Sequence, residues 1–470
     1  MSPELLARIA AVVGPDNLLT DPADCWPYGY DNSRRQQLPA AVAFATCHET
    51  VRALVALCHE TRTPLVPRGR GTGTTGATVP APGGLVLSLE RMDRILKIDP
   101  ANRVMVVEPG VTNQAVQDAA ARHGLFWPPD PTSAAFCTVG GNLAYNSAGP
   151  RAVKYGTPRE NVLGLRAVTG TGKDLRCGVY TSKGVVGYDL TRLLIGSEGT
   201  LAVITEATLK LTPCAEAKVT MQAVYADMDH AARAIAAIMG QPVTPCALEF
   251  MDGQAIAMIR HYAGTALPQG AAAMLIIEVD GSAVAMEHAI GAVQAAATND
   301  GLLDFQAARD PQQAQALWAT RKALSPALRT VAPKKINEDV VVPVSRLPRF
   351  INGLRELARR HDITIVNFGH AGNGNIHVNL LVDPDDADQM RRADMCLAAV
   401  FDLVLELSGT LSGEHGVGLE KRDFIARELD ATSLALMRGL KQLFDPRDIL
   451  NPGKMLPAAG GQKAAPWEST

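Results

Sequence analysis

From about Ala40 to Pro213, short apolar runs ("AVAFAT", "PLVPR", "GLVLSL", "VMVVEPG" and "LAVITEATLKLTP") alternate with amphipathic stretches over Glu49 to Glu60 and Thr112 to His123. Short apolar runs punctuated by Gly and Pro predict strands and the longer periodic stretches predict helices, so this part reads as α/β. After Pro213 the texture changes to "AKVTMQAVYA", an Ala-rich helical stretch over Met228 to Met239, "ALEFMD", "AAAMLIIEVDG" and a long helix from about Ser282. Strands and helices alternating with acidic or Gly-bearing turns predict a compact α+β unit on an antiparallel sheet. A boundary is expected near residue 214. The N-terminal "MSPELLARIAAVVG" offers Ser2 as helix cap, Pro3 at the first helical position and Glu4 in the first turn, with helical periodicity up to Gly14. It predicts a folded helix and not a signal peptide.

A chain of 470 residues is long enough for two or three folding units. The formal net charge is -3, with Lys and Arg dispersed, which argues against a nucleic-acid partner and favours a small polar ligand. The eight cysteines, at 25, 47, 58, 137, 177, 214, 246 and 396, contain no C-x-x-C pair and read as reduced structural thiols of a cytoplasmic protein. No apolar run approaches the ~18 to 20 residues of a membrane span, which leaves room for peripheral docking on the inner membrane.

"PRGRGTGTTG" (Pro67 to Gly76) contains a G-x-G-x-x-G at Gly71, Gly73 and Gly76, and Glu90 falls near the acidic position of a dinucleotide fold. That fold needs a helix opening on the glycines to hold the pyrophosphate. Here "ATVPAPGG" follows, and its prolines and glycines forbid the helix. Two readings stand: a flexible surface loop, or a loop whose backbone N–H groups wrap an anion, with Thr72, Thr74 and Thr75 adding hydroxyls. A second such stretch, "PPDPTSAAFCTVGGNLAYNSAG" (Pro128 to Gly149), and a third, "GSEGTLAVITE" (Gly196 to Glu206), occur in the same region. Three loops beside strands suggest one extended phosphate-bearing ligand.

Together with "TVGGNLAYNSAGPRAVKYG", "IGSEGTLAVITEATLKLTP", "GHAGNGNIHVN", "SGEHGVG" and "DPRDILNPGKML", the first loop resembles, in order and across nearly the whole chain, the flavoprotein family of D-lactate and D-2-hydroxyglutarate dehydrogenases and the glycolate oxidase D-subunit. The resemblance implies the vanillyl-alcohol-oxidase and para-cresol-methylhydroxylase type of fold, α+β in class. Its expected parts are an FAD-binding domain of two α/β subdomains (1–213), an α+β substrate or cap domain with an antiparallel sheet (214–415), a segment returning to the FAD domain (416–456) and a tail (457–470). It further implies that Arg68, Gly69, Arg70, Gly71, Thr72, Gly73, Thr74, Thr75, Thr132, Ser133, Gly140, Gly141, Asn142, Ser147, Glu198, Gly199 and Ile204 surround the FAD, with Asn451 against the flavin ring. Covalent members carry a His or Cys in the first or second loop. No His occurs in either here and Cys137 precedes the expected position, so non-covalent FAD is expected.

Within "NFGHAGNGNIHVNL" (Asn367 to Leu380), seven residues separate His370 from His377. They would stand ~23 Å apart in a strand and ~10 Å apart in a helix. Ligand nitrogens on one ion are no more than ~4 Å apart, so a shared metal requires the chain to double back. "AGNGN" suits that reversal, and alternation in "IHVNLL" then puts His377 and Asn379 on one face. The bland alternative is a hairpin with incidental histidines. "LSGEHGVG" adds Glu414 and His415, an acid and an imidazole flanked by glycines. The dehydrogenase branch that the sequence resembles holds a divalent ion, often zinc, on two His and one Glu of these motifs, which would be His370, His377 and Glu414.

Oxidising a 2-hydroxy acid removes a hydroxyl proton and a hydride. The expected division of labour gives the hydride to flavin, hydroxyl activation to the ion and the proton to His415. The resemblance places Arg321 as the substrate-carboxylate arginine, with Ser325 and Lys335 beside it; Lys334 competes with Lys335. The substrate is expected to be a D-2-hydroxy acid of the D-lactate, D-2-hydroxyglutarate or D-malate type. The acceptor would be a quinone, an electron-transfer flavoprotein or a cytochrome, and a homodimer is allowed. Competing readings are an oxidase of the same fold acting on another alcohol, and an electron-relay flavin subunit of a glycolate-oxidase-like complex.

Overall fold

The computed structural model describes residues 1–263, 267–322, 324, 327–328 and 332–458. The chain forms two compact units: unit 1 from Met1–Gly149, Gly156–Cys214 and the segment starting at Glu414, and unit 2 from Pro150–Tyr155 and Ala215–Gly413. The expected boundaries at 213/214 and 415/416 thus shift by one and two residues. Pro150–Tyr155 goes to unit 2 because Lys154 Nζ and the Tyr155 hydroxyl are both tied to the Asp280 carboxylate, at 2.5 and 2.7 Å. The local sequence carries no sign of those distant bonds.

Unit 1 opens with the expected helix, Pro3–Val13, whose Ser2 side chain accepts from Leu5 N–H. The first sheet contains β1 (Leu18–Leu19), β2 (Ala41–Phe44), β3 (Leu65–Arg68) and β4 (Leu85–Ser88), in the order β1-β2-β4-β3. β2 and β3 both lie parallel to β4, and the helix His48–Thr61 makes the crossover between them. Then come β5 (Ile95–Asp99), β6 (Val104–Val107), β7 (Leu125–Phe126), β8 (Val162–Thr169), β9 (Asp174–Gly178), β10 (Ala202–Lys210) and β11 (Thr212–Pro213). β7 pairs with β11, and the other five form an antiparallel sheet in the order β5-β6-β10-β8-β9. The long alternating strand β10 bridges β6 and β8 at its centre.

The C-terminal segment completes unit 1. Leu65 N–H donates to the Ile449 carbonyl and Asn451 N–H to the Leu65 carbonyl, extending the first sheet beyond β3. Ile449 and Leu450 are buried in the same apolar cluster as β2, β3, β4 and the first two long helices.

Unit 2 is built on β12 (Ala217–Tyr225), β13 (Ala247–Asp252), β14 (Ala273–Gly281), β15 (Leu302–Ala307), β16 (Lys334–Val341), β17 (Thr364–His370) and β18 (Asn375–Val382). The order is β15-β12-β14-β13-β17-β18-β16, with every pair antiparallel. This is the antiparallel sheet that the residues after Pro213 predict.

Candidate active site

In unit 1 a cleft is lined by all three glycine-bearing stretches and the C-terminal segment: Gly69 and Ala77, Gly140 and Gly141, Ser197 to Gly199 with Ile204, and Asn451. A side chain is excluded at several points. A Cβ at Gly69 would stand 2.4 Å from Thr138 Oγ1, and one at Gly140 would stand 2.6 Å from Pro109. The glycines therefore let the loops pack on each other as well as leave backbone exposed to a ligand. Thr74 Oγ1 in unit 1 is buried and has no partner among the described residues, a polar atom suited to a ligand bond.

Gly69, Gly140, Gly141, Glu198, Gly199, Ile204 and Asn451, among the expected FAD residues, line the cleft. Several others have a different local task. Arg68 is buried and donates to the Pro27 and Tyr30 carbonyls and to Thr78 Oγ1, bracing the first loop from behind. Arg70 lies 3.6 Å from Glu90. Asn142 is spent on Asn113 and on Cys137, whose thiol is buried and pushed above its ordinary pKa by desolvation. Asn451 lines the cleft, but its amide N–H groups go to the Ala77 and Glu198 carbonyls and its Oδ1 accepts from Lys454. Burial lowers Lys454 to about 7, against the pull of Asp31 and Glu198.

Glu198 also anchors the "SGEHGVG" segment. Its carboxylate accepts from Val417 N–H at 2.5 Å and Gly418 N–H at 2.8 Å, while Leu419 N–H donates to the Thr75 carbonyl. Burial pushes the Glu198 carboxyl up to about 6 despite those donors. Ser147 Oγ donates to the Glu414 carbonyl, and the Glu414 carboxylate accepts from Ala148 and Gly149 N–H at 3.3 and 2.8 Å. Thr75 Oγ1 donates to the His415 carbonyl at 3.4 Å. Both residues of the Glu-His pair thus sit on a backbone held by the glycine-rich loops.

In unit 2 the histidine hairpin is present as the distance limit requires. A short 3-10 turn, Ala371–Asn373, and Gly374 at φ +73° reverse the chain between β17 and β18. The register sets Phe368 opposite His377 and His370 opposite Asn375, so both imidazoles share one face with ring centroids 5.2 Å apart. β16 brings Asp339 opposite His377 and Asn337 opposite Asn379. Alternation then places Lys335 on the histidine face and Lys334 on the other, where its charge reaches Asp394 of the helix Ala387–Glu406.

Glu249, which the sequence reading missed, joins this face from β13. It stands opposite His370 in the register, accepts from His370 Nδ1 at 2.5 Å and accepts from Arg321 Nε at 2.9 Å. Arg321, on the helix Pro311–Lys322, lies over the Phe368 ring at 4.5 Å. Burial pushes the Glu249 carboxyl up, but His370 and Arg321 outweigh it and hold the group below its ordinary value. A lone acid inside the apolar strand "ALEFMD" gives no sequence signal of two cross-strand partners.

Asn379 shares the face of His377, as alternation predicts. Its amide donates to the Val366 and His377 carbonyls and its Oδ1 accepts from Asn337, so its polar atoms brace the strands. Ser325 lies outside the described residues.

Gly413 closes unit 2 with its N–H held by Asp339 Oδ2 at 2.9 Å, and Glu414 is the next residue. Within unit 2, His370 and His377 are both buried. Two imidazoles on one strand pair are donors of the type that zinc accepts.

Residues 39–178 match a model of the FAD binding domain, and 214–455 match the C-terminal domain of FAD linked oxidases. The fold is that of p-cresol methylhydroxylase, with a TM-score of 0.79 at 17% identity over 97% of this chain and 96% of that one. With the two family models, that fold defines an FAD-linked oxidoreductase. Glycolate oxidase subunit GlcD of Bacillus subtilis is 39% identical over 95% of this chain and 96% of its own, and D-lactate dehydrogenase of Anaerostipes hadrus is 34% identical over 89% of each. The chain belongs to the FAD-linked oxidoreductase family of glycolate oxidase subunits, D-lactate dehydrogenases and D-2-hydroxyglutarate dehydrogenases. No helix among the described residues is long and apolar enough to cross a membrane.

Proposed function

We propose that this FAD-linked oxidoreductase oxidises a D-2-hydroxy acid to the 2-oxo acid, using a divalent metal. The observation that carries the reading is the histidine face of unit 2, where Arg321, Lys335, His370 and His377 share one side of a sheet otherwise rich in apolar residues. When bound, FAD supplies a hydride acceptor and the ion supplies a Lewis acid.

The chain supplies the rest. Arg321 gives Nε to Glu249, and its two terminal nitrogens, without a partner among the described residues, suit bidentate pairing with a carboxylate. Lys335 adds a second positive group for a carboxylate. His370, His377 and Glu414 would hold the ion, with zinc fitting the donor set. His415, next to Glu414, takes the substrate hydroxyl proton. The glycine loops and Asn451 would hold FAD without a covalent bond, since Cys137 Sγ is buried against Asn142.

The test follows flavin absorbance anaerobically with D-lactate, D-2-hydroxyglutarate, D-malate and glycolate in turn, before and after complete removal of metal by chelator. Bleaching by a D-2-hydroxy acid that vanishes with the metal and returns with Zn²⁺ is expected. Bleaching that persists without metal would refute the metal role, and bleaching only by a phenol or another alcohol would refute the substrate class. A second reading is favoured by the relatives in Bacillus subtilis and Escherichia coli, which are named as subunits of glycolate oxidase. In it glycolate is the substrate and partner subunits take the electrons; co-purification from the native host decides it. In the first reading the electrons leave to a quinone, an electron-transfer flavoprotein or a cytochrome.

A further inference from the structure

We infer that Glu249 is a positioning residue that yokes the substrate-carboxylate arginine to a metal-ligand histidine, fixing the spacing between the two ends of the bound hydroxy acid. The inference rests on the roles proposed for Arg321 and His370 above. Three observations within unit 2 carry it.

The carboxylate is shared. Oε1 meets His370 Nδ1 and Oε2 meets Arg321 Nε, so one rigid planar group sets the separation of the imidazole and the guanidinium. It is also immobile: Glu249 is 1% exposed, on a strand paired on both sides, and stands directly opposite His370. Finally, Arg321 is held on a second side by the Phe368 ring at 4.5 Å, and that ring leans on His377 at 5.8 Å. The arginine and both histidines are thereby linked through two side chains.

Each bond has a chemical consequence. A carboxylate accepting from Nδ1–H fixes the tautomer of His370 with its lone pair on Nε2, the nitrogen a metal would take. Giving Nε to Glu249 turns the terminal pair of Arg321 nitrogens outward as a fork. In a 2-hydroxy acid the carboxylate and the hydroxyl sit on adjacent carbons, so a fixed separation between the fork and the ion favours that arrangement over a 3-hydroxy acid. A carboxylate that served only to neutralise Arg321 would have no effect on metal affinity.

The test compares full-length flavoproteins carrying E249Q, E249D and R321M with the unaltered protein. Flavin content and thermal unfolding are recorded first. Zn²⁺ and Co²⁺ affinity is then measured by competition with a chromophoric chelator in the absence of substrate, and KM is measured for D-lactate and for D-3-hydroxybutyrate. E249Q is expected to weaken metal binding by roughly 10- to 100-fold and to raise KM in the same variant. R321M is expected to raise KM alone. E249D keeps the charge but is one methylene short, and is expected to lose part of both and to narrow the preference for the 2-hydroxy acid. Unchanged metal affinity in E249Q, or in E249D should E249Q fail to fold, overturns the inference while leaving the proposed function standing. An unaltered protein that binds neither ion overturns both.

Discussion

At the scale of single residues, Glu198 holds the backbone after His415 while its own carboxyl is pushed up to about 6 by burial, from the ordinary 4.5. A carboxyl whose folded pKa is raised contributes stability that is fully present below pH 4.5 and is lost as the pH rises through 6. A non-titrating Glu198→Gln variant lacks that slope. Urea unfolding should therefore show the advantage of the unaltered protein over the variant to be about 2 kcal/mol larger at pH 4 than at pH 7; parallel curves would show that the group does not titrate in this range. The two adjacent lysines give a second residue-scale outcome. Lys335→Met should raise KM for the hydroxy acid by roughly 10- to 100-fold, the value of a lost charged hydrogen bond, and Lys334→Met should leave it unchanged. The sequence put both lysines forward and could not choose, because the choice is one of strand register. Glu249 was illegible for the same reason, its partners being 72 and 121 residues away.

Among the elements, the hairpin Thr364–Val382 was the most legible, because a distance limit on two imidazoles demanded it and "AGNGN" permitted it. The turn depends on Gly374: φ is +73°, and a Cβ would collide with the Val342 carbonyl oxygen. Gly374→Ala should destabilise unit 2 by roughly 1 to 3 kcal/mol, measured by denaturant unfolding, and should weaken Zn²⁺ binding beyond that of a surface Gly→Ala control. Register matters as well. His370 and His377 share a face because His370 pairs with Asn375, two positions before His377 on β18. A one-residue slip of that pairing would carry one imidazole to the opposite face and abolish metal binding. The helix Pro3–Val13 was equally legible from its cap. The excursion of Pro150–Tyr155 was not, because its anchor on Asp280 is tertiary.

Over the whole molecule, unit 2 draws its seven strands from one continuous stretch, while unit 1 needs both ends of the chain. Residues 215–413 expressed alone should retain the circular dichroism of a mixed α+β fold. Residues 1–213 alone should neither fold nor bind FAD, and a flavin-loaded 1–213 fragment would contradict the role given to Asn451 and the segment around it. The alternation along the chain conveyed two units, and the family resemblance conveyed the return of the last segment; periodicity alone could not, since "DPRDILNPGKML" reads as a loop until Leu450 is seen beside Leu65. That pairing has a consequence for biosynthesis. Between Arg68 at the end of β3 and Leu450 the ribosome adds about 380 residues, which at ~5 to 20 residues per second takes on the order of 20 to 75 s. For that interval β3 waits with an unpaired edge and an unfilled apolar surface, so the nascent chain needs protection from chaperones before its own tail arrives to seal it.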